Sequence, residues 1–301
     1  MRNKIVLVLI SLIFLNCSCN KTSEANSPSK IKMGYLLNVT HAVPMMILEK
    51  SELKSSIEPY HFSAGGFLLN NLLTKNLDIA FIGPGPYLTA IDKGFKLKLL
   101  GAYAYGANVF VLSKDLVNLS KDQIKDLRIA VPQLGNTQDL LAKIYLKDLA
   151  KDFYAISPAE LEFTFHNKSI DASLVTEPWG SMLIEKGYID GAKIFPHKLK
   201  QINQYPTTLL VVREDYYLEN KAQVEAFTAE ATKILRELSA KKNHLEAAKL
   251  LQKHFKDLVK KDIPVETIVK NLNNTNFDEN NSLDFFLKQL EQAAYKANYL
   301  R

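Results

Sequence analysis

From Ile31 onward the chain alternates short runs of β-forming residues with stretches whose apolar positions recur at helical spacing. The pattern predicts strands at 31–36, 57–62, 77–82, 96–104 and 108–113, then at 127–131, 152–156, 170–175, 192–195 and 207–213. Helical patterns fill the gaps at 43–50, 66–76, 86–93, 138–150, 158–167 and 178–187. Such alternation predicts an α/β architecture with largely parallel sheet and helices on both faces. After Arg213 the pattern is helical alone. Asn220 can cap a helix that turns Val224, Phe227, Ala231, Ile234 and Leu238 inward. Asn243 with Glu246, then Pro264 and Ser282, mark further helix starts.

The stretch from Leu127 to Leu149 shows the repeating logic most clearly. A β-rich run ends at Val131, Pro132 to Gly135 turn the chain, and Asn136 or Thr137 serves as N-cap for a helix carrying Leu140, Leu141, Ile144, Tyr145 and Leu149. A strand, a polar turn and a helix start present free N–H donors and the positive end of a helix dipole to a ligand. Nothing in the stretch is a strong nucleophile or a metal-ligand set, so it reads as a grip.

The two halves resemble one another. Lys75-Asn-Leu-Asp-Ile-Ala-Phe-Ile82 runs into Gly83-Pro-Gly-Pro86, and Lys168-Ser-Ile-Asp-Ala-Ser-Leu-Val175 runs into Thr176-Glu-Pro-Trp179. Ile31 to Ala42 pairs in the same order with Leu127 to Asp139. One such match is unremarkable between short α/β units. Two at nearly the same offset predict a duplicated lobe, each copy offering helix N-termini at the carboxyl ends of its strands. The helices after Arg213 are expected to brace one lobe.

Composition adds an address. Arg2 and Lys4 precede an apolar run from Ile5 to Leu15, broken only by Ser11, so residues 1–16 read as a signal peptide. That run is short of the roughly 20 apolar residues needed to span a bilayer. The only two cysteines, Cys17 and Cys19, follow at once. They are either incidental neighbours of a cleavage site or, the reading preferred here, include the acylated cysteine of a lipoprotein (Cys17 or Cys19). Residues 17–30 then form a polar tether. The body lacks cysteine, which excludes disulfides and thiolate chemistry there. The leader holds two of the six net positive charges, and the remaining lysines are spread over amphipathic helices without an arginine cluster. No nucleic-acid partner is therefore expected.

The polar turns gather into one candidate site: Asn38 to Ala42, Ser63 to Gly66, Gly83 to Pro86, Gln133 to Gln138, Ser157 with Pro158, and Thr176 to Trp179. Each follows a strand and precedes a helix. Capping alone explains any single one. Six together predict helix starts converging on a small anion or strongly polar head group. Gly83-Pro-Gly lacks the remaining glycines and lysine of a phosphate loop or dinucleotide fingerprint. His41 reads as a structural histidine or a ligand contact, Trp179 as core or as a cleft wall stacking on ligand. Glu177 fits an anion site poorly and points to backbone N–H groups, the opposite lobe, or donors on the ligand.

Gly34-Tyr-Leu-Leu-Asn-Val-Thr-His-Ala42, Ile82-Gly-Pro-Gly-Pro86, Pro132-Gln-Leu-Gly-Asn-Thr-Gln-Asp139 and Glu177-Pro-Trp179 resemble the substrate-binding proteins of ABC importers in the nitrate, sulfonate and taurine group, which includes relatives binding a thiamine-precursor pyrimidine. The resemblance covers nearly all of the chain beyond the tether. It implies a two-lobed periplasmic-binding-protein fold (type II-like), with two α/β lobes, a hinge and C-terminal helices. Lobe 1 is expected at 31–110 and 210–301 and lobe 2 at 112–208, joined by crossing strands near 108–113 and 207–213. Ligand-contact roles fall on Asn38, Thr40 and His41, on Ser63, Ala64 and Gly65, and on Gly83, Pro84 and Gly85. Gln133, Asn136, Thr137 and Gln138, then Glu177 and Trp179, complete the set. Asn76 and Ser169 depart from the glycine common in the turn before the aspartate, and the segment from Asp148 to Ser169 is compressed.

The resemblance implies a monomeric, lipid-anchored protein outside the cytoplasm. It would pass a small polar or anionic solute (sulfonate, taurine, nitrate or similar) to an ABC permease in the inner membrane, without cofactor, metal or catalytic residues. Two rivals remain. One is an enzyme of cofactor-precursor biosynthesis on the same fold, for which His41 and Glu177 are the available acid–base pair; the export leader argues against it. The other is a solute-sensing module of a membrane receptor.

Overall fold

Residues 29–278 and 283–300 are described by the computed structural model. The signal peptide 1–16, Cys17, Cys19, almost all of the tether and Ser282 lie outside the described residues. The first half runs β1 (Ile31–Leu36), α1 (Ala42–Lys50), β2 (Ile57–Phe62), α2 (Gly65–Leu73), β3 (Ile79–Ile82), α3 (Pro84–Asp92) and β4 (Leu97–Tyr105). The second runs β5 (Asn108–Leu112), β6 (Leu127–Val131), α4 (Thr137–Tyr145), β7 (Ala150–Ala155), α5 (Leu161–His166), β8 (Ala172–Thr176), α6 (Trp179–Glu185), β9 (Ile189–Asp190) and α7 (Pro196–Ile202). β10 (Pro206–Arg213) returns to the first lobe. Helices α8 (Glu214–Glu219), α9 (Lys221–Ser239), α10 (His244–Val259), α11 (Val265–Asn274) and α12 (Leu283–Lys296) follow.

Two sheets form, in the orders β2-β1-β3-β10-β4 and β7-β6-β8-β5-β9. The expectation of largely parallel sheets is corrected: the first three strands of each pair in parallel, but the fourth runs antiparallel to both neighbours. The reason is chain direction. β5 and β10 are the first strands after each passage between lobes, and each enters its sheet from the opposite end.

Central strands β3 and β8 are buried throughout, as continuous apolar runs covered on both faces must be. In β10 the two-residue period divides one strand between two cores. Leu210 and Val212 join Phe81, Phe227 and Phe255 beneath α1, α9 and α10, while Leu209 and Val211 join Leu68 and Leu72 of α2. The second sheet is covered by α4 and α7 on one face and by α5 and α6 on the other.

The last helix does not brace a single lobe. Its Leu287 packs in the first-lobe core, whereas Leu290 and Ala294, with Leu300 beyond it, pack in the second. Phe286 stands between, with ring centroids 6.2 Å from both Tyr105 and Tyr205. Those tyrosines flank the passages between the lobes. Gly106, with φ +71° and Asn203 O 3.0 Å from where a Cβ would sit, starts the first passage.

Smaller departures have local causes. The predicted strand at 192–195 is replaced by the two-residue β9 and a 3-10 turn at Gly191–Lys193. Pro196 then opens α7, a short helix the periodicity did not show. α4 stops at Tyr145, five residues before the predicted end, and the chain enters β7 at Ala150. Asn136 caps α4 by accepting the Asp139 N–H at 2.8 Å. Asn220 and Asn243 hold cap positions without a capping side-chain bond; the Asn220 amide donates instead to Tyr216 O at 3.1 Å.

Candidate functional site

The carboxyl ends of β1, β2, β6 and β8 face one another across a cavity of about 230 Å³ between the lobes. Three helix starts reach it. Ser63, Ala64 and Gly65 open α2, Asn136 and Gln138 open α4, and Ser157, Pro158 and Ala159 form the 3-10 turn before α5. The first N–H groups of such turns have no partner within the helix, so they are directed donors. Asn38 and Thr176 add polar side chains, and Trp179 supplies an indole wall.

The remaining lining is apolar: Leu36, Leu37 and Phe62 from the strand ends, Pro132, and Val259 from the end of α10. Among the described residues no lysine, arginine, aspartate or glutamate lines the cavity, and His61 is the one basic side chain there. An anion held here would therefore be met by neutral donors and helix dipoles. The walls favour a solute with an apolar body behind a small acceptor-rich head.

Other residues singled out in the sequence hold the lobes together instead. Gly66 N–H donates to Gln133 Oε1 at 2.8 Å, and Gly85 N–H donates to Thr137 Oγ1 at 3.2 Å. Val39 N–H donates to Glu177 O at 2.9 Å. At Gly85 a Cβ would lie 2.8 Å from the Asn136 carbonyl and the Thr137 nitrogen, and at Gly83 it would meet Thr137 Oγ1 at 2.1 Å. The Gly83-Pro84-Gly85 turn thus makes room for the start of α4, and none of the three lines the cavity.

A third group is turned away from the cavity. Thr40 Oγ1 donates to Asn38 Oδ1 at 2.7 Å and also bonds Thr208 Oγ1 at 3.0 Å. His41 Nδ1 accepts the Leu36 N–H at 3.2 Å, and burial pushes its pKa down to about 3, so the ring is neutral. Glu177 directs both carboxylate oxygens at Ser181, accepting from its N–H at 2.9 Å and its hydroxyl at 2.7 Å. Burial raises the Glu177 pKa above the ordinary carboxylate value, against the opposing pull of those bonds. His41 and Glu177 therefore form no acid–base pair.

Sequence reading missed the apolar lining, since Leu36, Leu37 and Phe62 at strand ends look like core. Val259 lies more than two hundred residues from Asn38 and carries no local signal. A further contact from the late helices joins the lobes, with Asn271 of α11 donating to Ser181 Oγ at 2.8 Å. Among the described residues no helix is long and apolar enough to cross a membrane.

Two lobes, two mixed sheets of matching order and a cavity at the strand ends define the periplasmic-binding-protein fold. The chain belongs to the NMT1-like family, which it matches over residues 24–252. No curated protein sequence matches it. Among solved structures it is similar to the periplasmic aliphatic sulphonate binding protein SsuA from Escherichia coli, with TM-score 0.65, 19% identity, and 91% of this chain and 94% of that one covered. The alkanesulfonate-binding protein SsuA from Xanthomonas axonopodis pv. citri, bound to MOPS, gives TM-score 0.70 at 18% identity, covering 91% and 95%. The periplasmic nitrate-binding protein NrtA from Synechocystis PCC 6803 gives 0.71 at 15% identity, covering 90% and 82%. All three are binding proteins by name, and they share this chain's fold.

Proposed function

We propose that the protein is the extracytoplasmic solute-binding component of an ABC importer, held to a membrane by a lipid on Cys17 or Cys19. We assign the lobes as 31–105 with 206–300, and 108–202, α12 lying across both; the expected bounds at 110/112 and 208/210 move to 106–107 and 203–205 because β5 joins the second sheet and β10 the first. The solute sits between them, against Asn38, Ser63 to Gly65, Asn136, Gln138 and Trp179. Its binding shifts an open–closed equilibrium that a permease reads. The observation that carries this is the cavity itself, lined by three helix starts and lying where hydrogen bonds run from one lobe to the other. The dispersal of His41 and Glu177 away from it favours binding over acid–base catalysis.

Among the solutes of the neighbours, an alkanesulfonate suits the cavity better than nitrate, because only the former fills the apolar walls as well as the donor end. Calorimetric titration with MOPS, taurine and nitrate, alongside small-angle scattering, tests this. MOPS or taurine is expected to bind more tightly than nitrate and to reduce the radius of gyration. Because Trp179 is the only tryptophan, its fluorescence is expected to change as well. Binding without a fluorescence change places the solute elsewhere. Failure of all three to bind removes this solute class. The Cys17→Ala, Cys19→Ala double variant is expected to appear in soluble fractions, and its retention on membranes refutes the lipid anchor.

A further inference from the structure

Four carboxamides form a chain from the cavity to the passages between the lobes. Asn136 Nδ2 donates to Gln138 Oε1 at 3.2 Å, and Gln138 Nε2 donates to Asn108 Oδ1 at 2.9 Å. Asn108 Nδ2 donates to Asn203 Oδ1 at 3.3 Å, and Asn203 Nδ2 donates to Asn108 O at 3.0 Å. Asn136 and Gln138 line the cavity; Asn108 and Asn203 do not.

A carboxamide can present either its oxygen or its nitrogen, and what it presents depends on what holds it. Here backbone groups fix the direction at both ends. Asn203 Oδ1 accepts the Asn108 N–H at 2.8 Å while its nitrogen faces the Asn108 carbonyl, so Asn203 cannot be reversed. Asn108 Nδ2 faces Asn203 Oδ1 and, at 3.3 Å, the Gly106 carbonyl, leaving only its oxygen for Gln138. From the other end, Asn136 Oδ1 is held by the Asp139 N–H at 2.8 Å, which turns its nitrogen to Gln138. Both ends demand the same orientation of Gln138. Each cavity carboxamide then spends its bond within the chain and keeps one N–H uncommitted.

We propose that Asn203, a residue outside the cavity, is a positioning residue that fixes the recognition polarity of this wall: through Asn108 it locks Gln138 and Asn136 with N–H groups free, so the solute group they meet is a hydrogen-bond acceptor. This rests on reading the cavity as the solute site, but the lock itself is testable without any solute. Side-chain amide resonances of nitrogen-15-labelled protein are expected to shift at Asn108, Gln138 and Asn136 in Asn203→Ala. Asn203→Asp keeps the oxygen that holds Asn108 Nδ2 but sets a carboxylate oxygen against the Asn108 carbonyl, and is expected to shift the same resonances. Asn273→Ala, which removes a remote asparagine bonded to His244, is expected to move none of them. In the reverse direction Gln138→Ala is expected to move the Asn203 amide, which keeps the test open should Asn203→Ala fold poorly.

A perturbation that stops at Asn108 in Asn203→Ala, or a Gln138 signal that moves equally in Asn273→Ala, overturns the proposal. With MOPS as probe, Asn203→Ala is expected to lose about tenfold in affinity, the worth of one neutral hydrogen bond. If MOPS does not bind the unaltered protein, the solute assignment fails while the resonance shifts still decide the lock.

Discussion

The two lobes share a frame and differ at one turn. In each, the aspartate that is the fourth residue of the repeated segment accepts the N–H of the second residue of the lobe's first parallel strand at 2.9 Å: Asp78 from Lys32, and Asp171 from Arg128. In each, the first strand after the chain passes between the lobes takes the fourth place in the sheet, antiparallel to its neighbours. After the third parallel strand they part. The first lobe has Gly83-Pro84-Gly85, emptied so that α4 can approach. The second has Thr176-Glu177-Pro178-Trp179, filled to wall the cavity and to carry a hydrogen bond back to Val39. A duplicated scaffold can thus be specialised by side-chain volume at equivalent turns, without altering the sheet beneath.

The largest expected effect breaks the shared frame. The Asp78 side chain is 12% exposed and its partner Arg213 13%, against 28% and 36% for Asp171 and Arg128. Asp78→Ala leaves a guanidinium buried beside one remaining carboxylate, Asp215, and is expected to cost on the order of 3 kcal/mol. Asp171→Ala is expected to cost about half of that, since water reaches its partner. Urea unfolding of the two variants checks the order. Equal losses mean that exposure does not set the difference between the lobes.

Next comes the turn where they differ. A Cβ at Gly85 meets backbone of the opposite lobe, and backbone does not rotate aside. Gly85→Ala is expected to oppose closure by about 1–3 kcal/mol, roughly ten- to a hundredfold in solute affinity. Its melting temperature is expected to change little, because the clash is relieved when the lobes part. Scattering that shows the same compact form with solute bound contradicts this account of the glycine.

The frame was legible in the sequence and the division of labour was not. Periodicity located β3 and β8, because strands buried on both faces are largely continuous apolar runs. It misplaced 192–195, where Ile194 and Phe195 are apolar but sit after a 3-10 turn. Polar turns marked helix starts, since capping chemistry is local. Whether such a residue faces the cavity, as Gln138 does, or the other lobe, as Thr137 does, depends on how two lobes meet. Nothing within ten residues of either encodes that.

Acid sharpens the comparison further, with opposite signs in one lobe. The hydrogen-bonded Arg128 guanidinium holds the Asp171 pKa below the usual carboxylate range. Asp171 therefore contributes stability above its unfolded value of about 3.9, lost as pH falls through the lower folded value. The Glu177 pKa is raised by burial, so its contribution is present below about 4.3 and lost as pH rises through the folded value. Glu177→Gln mimics the protonated form. Its melting temperature is expected to exceed that of the unaltered protein at pH 7 and to converge on it near pH 4. A constant offset across that range shows that ionisation is not the cause.

The smallest effect concerns the turn before each aspartate. The family resemblance implies glycine at Asn76 and Ser169. The backbone places the left-handed residue one position earlier in both lobes, at Lys75 (φ 63°) and Lys168 (φ 59°). A side chain in that region costs roughly 1–2 kcal/mol, and glycine gives back about 0.5–1 kcal/mol of that in unfolded-state entropy. Lys75 also pairs with Asp215 at 2.7 Å and Lys168 with Asp115 at 3.0 Å, but these exposed pairs contribute at most about 1 kcal/mol. Lys75→Gly and Lys168→Gly are accordingly expected to be neutral to slightly stabilising, and by the same amount in both lobes. Asn76→Gly and Ser169→Gly gain no relief of strain and are expected to lose about 0.5–1 kcal/mol. Denaturant midpoints of the four variants distinguish the positions: if the gain appears at Asn76 and Ser169 instead, the left-handed residue lies where the family pattern put it, and the turns of the two lobes are built differently from this description.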